Sequence, residues 1–183
     1  MIDKGPLDRF IAANTTPIYP SSFDAVREGY KEQHGDKGWI GKLATQMSGS
    51  VPDAQSGFKK GTPEYKANHT AYNSARKQIE RWNHGTSPKE ANADRIAKAG
   101  QTLNPIGHKA PAGGLTVTVK FNAPGDRSHA PREREFTITM DATTAQEFAS
   151  APDYDFLFES WFEGGAEAYG DDGDYEAENV QVS

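Results

Sequence analysis

The sequence predicts an α+β protein: a helical N-terminal half with helix-turn-helix-like helices, then a small C-terminal β-hairpin, two helices and a short final strand. Three observations predict it. Up to about residue 100, apolar residues recur at helical spacing between capping and breaking residues. At Leu115 the period drops to two, the spacing of a half-buried strand. Charge is also sorted along the chain: Phe58 to Ala110 holds ten Lys/Arg against four Asp/Glu, and Asp141 to Ser183 holds twelve Asp/Glu and no Lys or Arg.

Leu7 to Ala13 has the composition of two helical turns, stopped by Thr16-Pro17. Ser21 or Ser22 can cap a helix from Phe23 to Gln33, with Phe23, Val26 and Tyr30 on one side and Gly35 at its end. A second short helix fits Trp39 to Met47, and residues 50–61 read as a Gly-, Ser- and Lys-rich loop. Thr62-Pro63-Glu64 opens the strongest helix. Thr62 is a good cap, Pro63 sits where a missing N–H costs nothing, and Glu64 meets the positive helix end. Tyr65, Tyr72, Ala75, Ile79 and Trp82 form its apolar stripe, and Asn83-His84-Gly85 ends it. After a short turn at His84-Gly85-Thr86, Ser87-Pro88-Lys89-Glu90 has the form of a capping box for an alanine-rich helix that Gly100 loosens. Asn104 to Gly114 reads as a linker. Leu115–Phe121 and Arg132–Met140 alternate as two strands of an antiparallel hairpin. Asp141 to Ser150 and Tyr154 to Tyr169 read as helices, and Ala177 to Val182 as a last strand. The aromatic run Phe156, Phe158, Trp161 and Phe162 reads as core, with a protein contact as the alternative for Phe158, which lies off the main stripe. The organisation expected is therefore residues 1–60 as a helical segment, 61–104 as the helix-turn-helix-like region and 105–183 as an α+β region with an acidic end.

Composition excludes several classes. The chain has no cysteine, so disulfides, thiolate metal sites and cysteine nucleophiles are out, and a reducing cytoplasm fits. No window approaches the roughly 18 apolar residues of a membrane span, and the first residues open no apolar run of the signal-peptide kind. The five histidines are scattered, with no second ligand at metal spacing, and no nucleophile motif appears. No catalytic residue, metal or cofactor is assigned. Gly35 to Lys42 misses the phosphate-loop spacing by one residue.

The basic middle carries the functional signal. On a helical wheel Lys66, Thr70, Asn73, Ser74, Lys77 and Arg81 share the arc opposite Tyr72, Ala75, Ile79 and Trp82. Lys and Arg reach phosphates, while Asn, Thr and Arg can also read base edges. We therefore expect Lys66, Thr70, Asn73, Lys77 and Arg81 to contact DNA, with Lys89 and Arg95 as phosphate contacts, and a nucleoid-associated place in the cytoplasm. Two other classes stay open: a transcription or copy-number regulator using the same helices, and a non-DNA interaction or virion protein whose basic helix only solvates.

Lys77-Gln78-Ile79-Glu80-Arg81-Trp82, a short loop, Ser87-Pro88 and an alanine-rich helix resemble the helix-turn-helix segment of the terminal proteins that cap linear actinobacterial chromosomes and plasmids. The order that follows is similar too: strand Gly114–Phe121, loop Asn122-Ala123-Pro124-Gly125, strand Glu135–Met140, two helices and an acidic end. The resemblance covers about residues 60–183. It implies binding to the telomeres of a linear replicon during DNA replication, a DNA polymerase or telomere-associated protein as partner, and a hydroxyl that primes synthesis and becomes covalently linked to the 5′ phosphate. Such a protein is a primer for another enzyme and not itself an enzyme. The family's priming residue is a threonine between the two strands. Here Ser128 is the only hydroxyl in Asn122–Glu135, flanked by Arg127 and His129.

Overall fold

The computed structural model describes residues 2–123, 132–163 and 178–183. In chain order the elements are α1 (Gly5–Asn14), β1 (Thr16–Ile18), α2 (Phe23–Ser48), α3 (Pro63–Asn83), α4 (Ala93–Gly100), β2 (Gly107–Lys109), β3 (Leu115–Ala123), β4 (Arg132–Met140), α5 (Ala142–Ser150), α6 (Tyr154–Glu163) and β5 (Glu178–Val182), with single 3-10 turns at Asp53–Gln55 and Glu90–Asn92. The α+β class holds. The expected boundary at 60/61 falls inside one compact unit, Tyr19–Ile106, which ends two residues past the expected 104/105, and Met1–Ile18 joins Gly107–Ser183 in the other.

The helical unit, Tyr19–Ile106, is organised by α2, against which both α3 and α4 pack. Ser22 caps α2 through the Ala25 N–H. The two helices expected on either side of Gly35 are one span, broken at Gly35 (φ 69°, ψ 167°) and resumed at once. Its buried side chains, among them Val26, Tyr30, Trp39 and Leu43, meet Tyr72, Ala75, Ile79 and Trp82 of α3 and Ile96 and Ala99 of α4 in one apolar cluster. The α3 stripe is thus buried from Tyr72 to Trp82 as its spacing predicts, whereas Tyr65 at its start is only half-buried and bonds Asp53 instead; Thr62 caps the helix by accepting the Tyr65 N–H at 3.2 Å.

The approach to α4 differs from expectation. The connection runs from His84 to Asn92, longer than the three or four residues of a helix-turn-helix turn. Lys89 is extended and Ser87 makes no cap bond, so the Ser87–Glu90 box does not form. Packing decides where this helix starts: Ile96 and Ala99 are buried, and the Arg95 guanidinium is tied to α2. Local capping chemistry is worth about 1 kcal/mol and yields to such contacts.

The second unit is mixed. A three-stranded antiparallel sheet has the order β4-β3-β5. The predicted hairpin forms with Leu115 opposite Met140 and Val119 opposite Phe136. Its inner face, Val117, Val119, Phe121, Phe136 and Met140, packs with Phe148 of α5, Leu157 of α6, and Leu7, Phe10 and Ile11 of α1. Phe158 belongs to this core, 6% exposed and with its ring 5.2 Å from Phe121, and is not a contact residue on the surface. The outer face is polar, with Thr118 and Thr137 hydroxyls 3.0 Å apart and Lys120 paired to Glu135 at 2.8 Å. The segment 104–114, read as a linker, contains β2, which pairs antiparallel with the unpredicted β1. That pairing joins the first eighteen residues to the C-terminal part. Asp141 caps α5 through the Thr144 N–H. The expected extension of α6 beyond Glu163, the acidic run at 171–176, and the loop 124–131 with Ser128 lie outside the described residues.

Candidate nucleic-acid interface

α3 carries most of the predicted interface, and its burial follows the wheel. Lys66, Thr70, Lys77 and Arg81 are exposed and Asn73 is half-buried, while Tyr72, Ala75, Ile79 and Trp82 face the core. From Lys66 to Arg81 the helix rises about 22 Å. Among the described residues, no carboxylate pairs with Lys66, Lys77, Arg81, Lys89 or Arg95. Arg76, one position off the predicted arc, is instead held by Glu80 at 3.0 Å.

Three of the predicted cations meet. An open cleft of about 390 Å³ is lined by Ser48, Ala71, Ser74, Ala75, Lys77, Gln78, Arg81 and Arg95. It brings Lys77 and Arg81 of α3 together with Arg95 of α4 and contains no carboxylate. Arg95 is oriented before any ligand arrives. Its Nε and Nη2 donate to the Met47 carbonyl at 3.2 and 2.9 Å, and its Nη1 donates to Asn92 Oδ1 at 3.4 Å. Met47 lies in the last turn of α2, where carbonyls have no helical partner, so the bond also caps α2. These bonds use three of the five guanidinium N–H groups and leave two. Arg81 Nε donates back to the Lys77 carbonyl at 3.3 Å, which holds the arginine stem along the helix.

The other predicted residues are not brought into this cleft. Lys89 lines a separate hollow that also contains Asp24 and Glu90, and is therefore of mixed sign. Asn73 is committed within the helix: its Nδ2 donates to the His69 carbonyl at 2.9 Å and lies 3.2 Å from His69 Nδ1. Lys66 and Thr70 stand exposed nearer the start of α3.

Sequence reasoning missed a constellation on the opposite flank. Asp53 Oδ2 accepts from Tyr65 Oη at 2.9 Å and pairs with His69 Nδ1 at 2.6 Å. The His69 bond, followed by that of Tyr65, holds the Asp53 carboxyl below its ordinary range, and the same contact raises the Tyr65 phenol. Tyr65 and His69 stack at 5.8 Å, 16° from parallel. The i, i+4, i+8 spacing of Tyr65, His69 and Asn73 is visible in the sequence, but nothing there brings Asp53 to them. Asn68 was missed likewise. It is buried, and its amide clamps both the N–H and the carbonyl of Val51.

Among the described residues there is no group of three His, Asp or Glu placed to hold a metal ion, and no helix is long and apolar enough to cross a membrane. Comparison with known protein families, curated proteins and solved structures finds no match.

Proposed function

We propose that the helical unit binds the phosphate backbone of duplex DNA through Lys77, Arg81 and Arg95. One observation carries the reading: three cations from two helices share a cleft without a carboxylate, and one of them is fixed in place by the α2 terminus. A merely solvated helix face mixes signs, as Arg76 and Glu80 do one flank away. The longer α3–α4 connection favours backbone contact over the groove reading of a helix-turn-helix.

The test is the salt dependence of binding to a random-sequence duplex. Three phosphate contacts give a slope of log affinity against log salt of about −3, and the Lys77→Ala/Arg81→Ala variant flattens it by about 2. Failure to bind any duplex, at low salt as at high, overturns the reading in favour of an interaction protein.

Through its resemblance to terminal proteins, the proposal extends to the ends of a linear replicon, with a polymerase as partner and Ser128 as the primer hydroxyl. Labelled deoxynucleotide, polymerase and metal ions are expected to leave label on the protein that survives boiling in detergent and is lost in Ser128→Ala. Label that persists in Ser128→Ala moves the attachment to another hydroxyl. A palindromic footprint without transferred label favours a regulator instead.

A further inference from the structure

The start of α3 holds a second arrangement that the phosphate cleft does not use. Phe58 is 47% exposed, one of three large apolar side chains left so far out among the described residues. Exposed Lys59 and Lys60 follow it, and Gly57 and Gly61, both at positive φ, bracket the three. The loop is held in shape. Ser56 Oγ donates to the Asp53 carbonyl at 3.0 Å and accepts the Phe58 N–H at 3.3 Å, and the Thr62 N–H donates to the Lys59 carbonyl at 3.2 Å. These bonds hold the loop backbone on either side of Phe58 while its ring stays exposed.

One helical turn away, Asp53 fixes the stacked Tyr65–His69 pair, with the His69 side chain half exposed. Around these rings three lysines, Lys59, Lys60 and Lys66, outnumber two carboxylates, Glu64 and Asp53, and Asp53 is already engaged by Tyr65 and His69. Held aromatic rings interleaved with lysines are what an unpaired nucleic-acid strand needs. Each base offers a π-face, and the phosphates between bases need neutralising. The Tyr65 and His69 rings, set by Asp53 and by each other, lose little entropy when a base covers them.

We infer that residues 57–69 form a stacking site for unpaired bases of single-stranded DNA, with Phe58 as the platform, Tyr65 and His69 as a rigid second aromatic surface, and Lys59, Lys60 and Lys66 on the phosphates. This rests on the proposed DNA binding and deepens it. From Pro63 to Lys77 the helix rises about 21 Å. That is about six nucleotides of stacked strand at 3.4 Å each. The chain then holds duplex at the cleft and a single strand at the loop, the two parts of a DNA end with an overhang.

The experiment compares anisotropy titrations of a blunt duplex and of a short oligothymidine. Phe58→Ala is expected to weaken oligothymidine binding by about fivefold or more and to leave duplex binding unchanged. Phe58→Trp is expected to keep the affinity, with its added fluorescence quenched as bases cover it. Oligothymidine binding by Phe58→Ala equal to that of the wild type overturns the inference. Equal weakening on both DNAs also overturns it, because the ring then acts on the fold. If the wild type binds oligothymidine in a Phe58-dependent way but no duplex, the stacking site stands and the duplex reading falls. Binding to neither DNA overturns both.

Discussion

The two units of this chain are built alike inside and oppositely outside. Each closes one apolar cluster of aromatic and aliphatic side chains. Yet Tyr19–Ile106 carries thirteen Lys/Arg and nine Asp/Glu, whereas Met1–Ile18 with Gly107–Ser183 carries seven and seventeen. A charge gradient along the sequence is thus a division between folded units. Apolar burial holds each unit together, and surface charge decides which of them an anion approaches. Nucleic acid at the helical unit is consistent with that division. The mixed unit, with its surplus of carboxylates, disfavours any polyanion.

The comparison breaks most decisively at two glycines, one in each unit. A Cβ on Gly100 would lie 1.7 Å from the Pro20 carbonyl oxygen, and one on Gly114, at φ 85°, would lie 2.1 Å from that of Met140. Both obstacles are backbone, so neither yields cheaply. Gly100→Ala and Gly114→Ala are each expected to cost about 3 kcal/mol or more. The three tryptophans report the units separately: Trp39 and Trp82 sit in the helical core, and Trp161 packs on the mixed one. In a urea titration followed by indole N–H resonances, Gly100→Ala should lower the midpoint seen by Trp39 and Trp82. Gly114→Ala should lower that seen by Trp161. If all three indoles move together in both variants, the units unfold as one and the division is not energetic.

What could be read in advance follows the same physics. Periodic burial was legible. The α3 stripe from Tyr72 to Trp82, the β3–β4 hairpin and the α5 cap lie where spacing and capping chemistry place them, because each depends on neighbours within about seven residues or on strict alternation. Long-range pairing was not. Thr16–Ile18 and Gly107–Lys109 are three-residue strands with no alternation to detect, and only their meeting makes them strands. The Ser87 box was locally sound and lost to the packing of Ile96 and the anchoring of Arg95. In the candidate site, exposure of Lys77 and Arg81 followed from the wheel. The convergence of Arg95 with them did not, since it needs α4 to be carried onto the last turn of α2. The Asp53–His69 contact spans sixteen residues of irregular loop and helix, and no sequence pattern encodes it.

The finest test of the comparison concerns how the two units cap their helices. The helical unit uses hydroxyls, Ser22 and Thr62, and the mixed unit uses a carboxylate, Asp141. Thr62→Ala should cost about 1 kcal/mol at any pH between 3 and 8, because nothing in that cap titrates. Asp141 behaves differently. The Thr144 N–H and hydroxyl hold its carboxyl below the ordinary range, so it stays charged more readily in the folded protein than in the unfolded chain. With the folded pKa depressed, the contribution is complete above the unfolded value and is lost as pH falls through the folded one. Asp141→Asn should therefore remove a small acid-side loss of stability reported by Trp161. It should leave the acid response of Trp39 and Trp82 unchanged, since that response draws on Asp53, whose carboxyl is likewise depressed by His69 and Tyr65. If Asp141→Asn flattened the acid response of all three indoles equally, the cap would be acting on the whole chain, and the two units would share one titration.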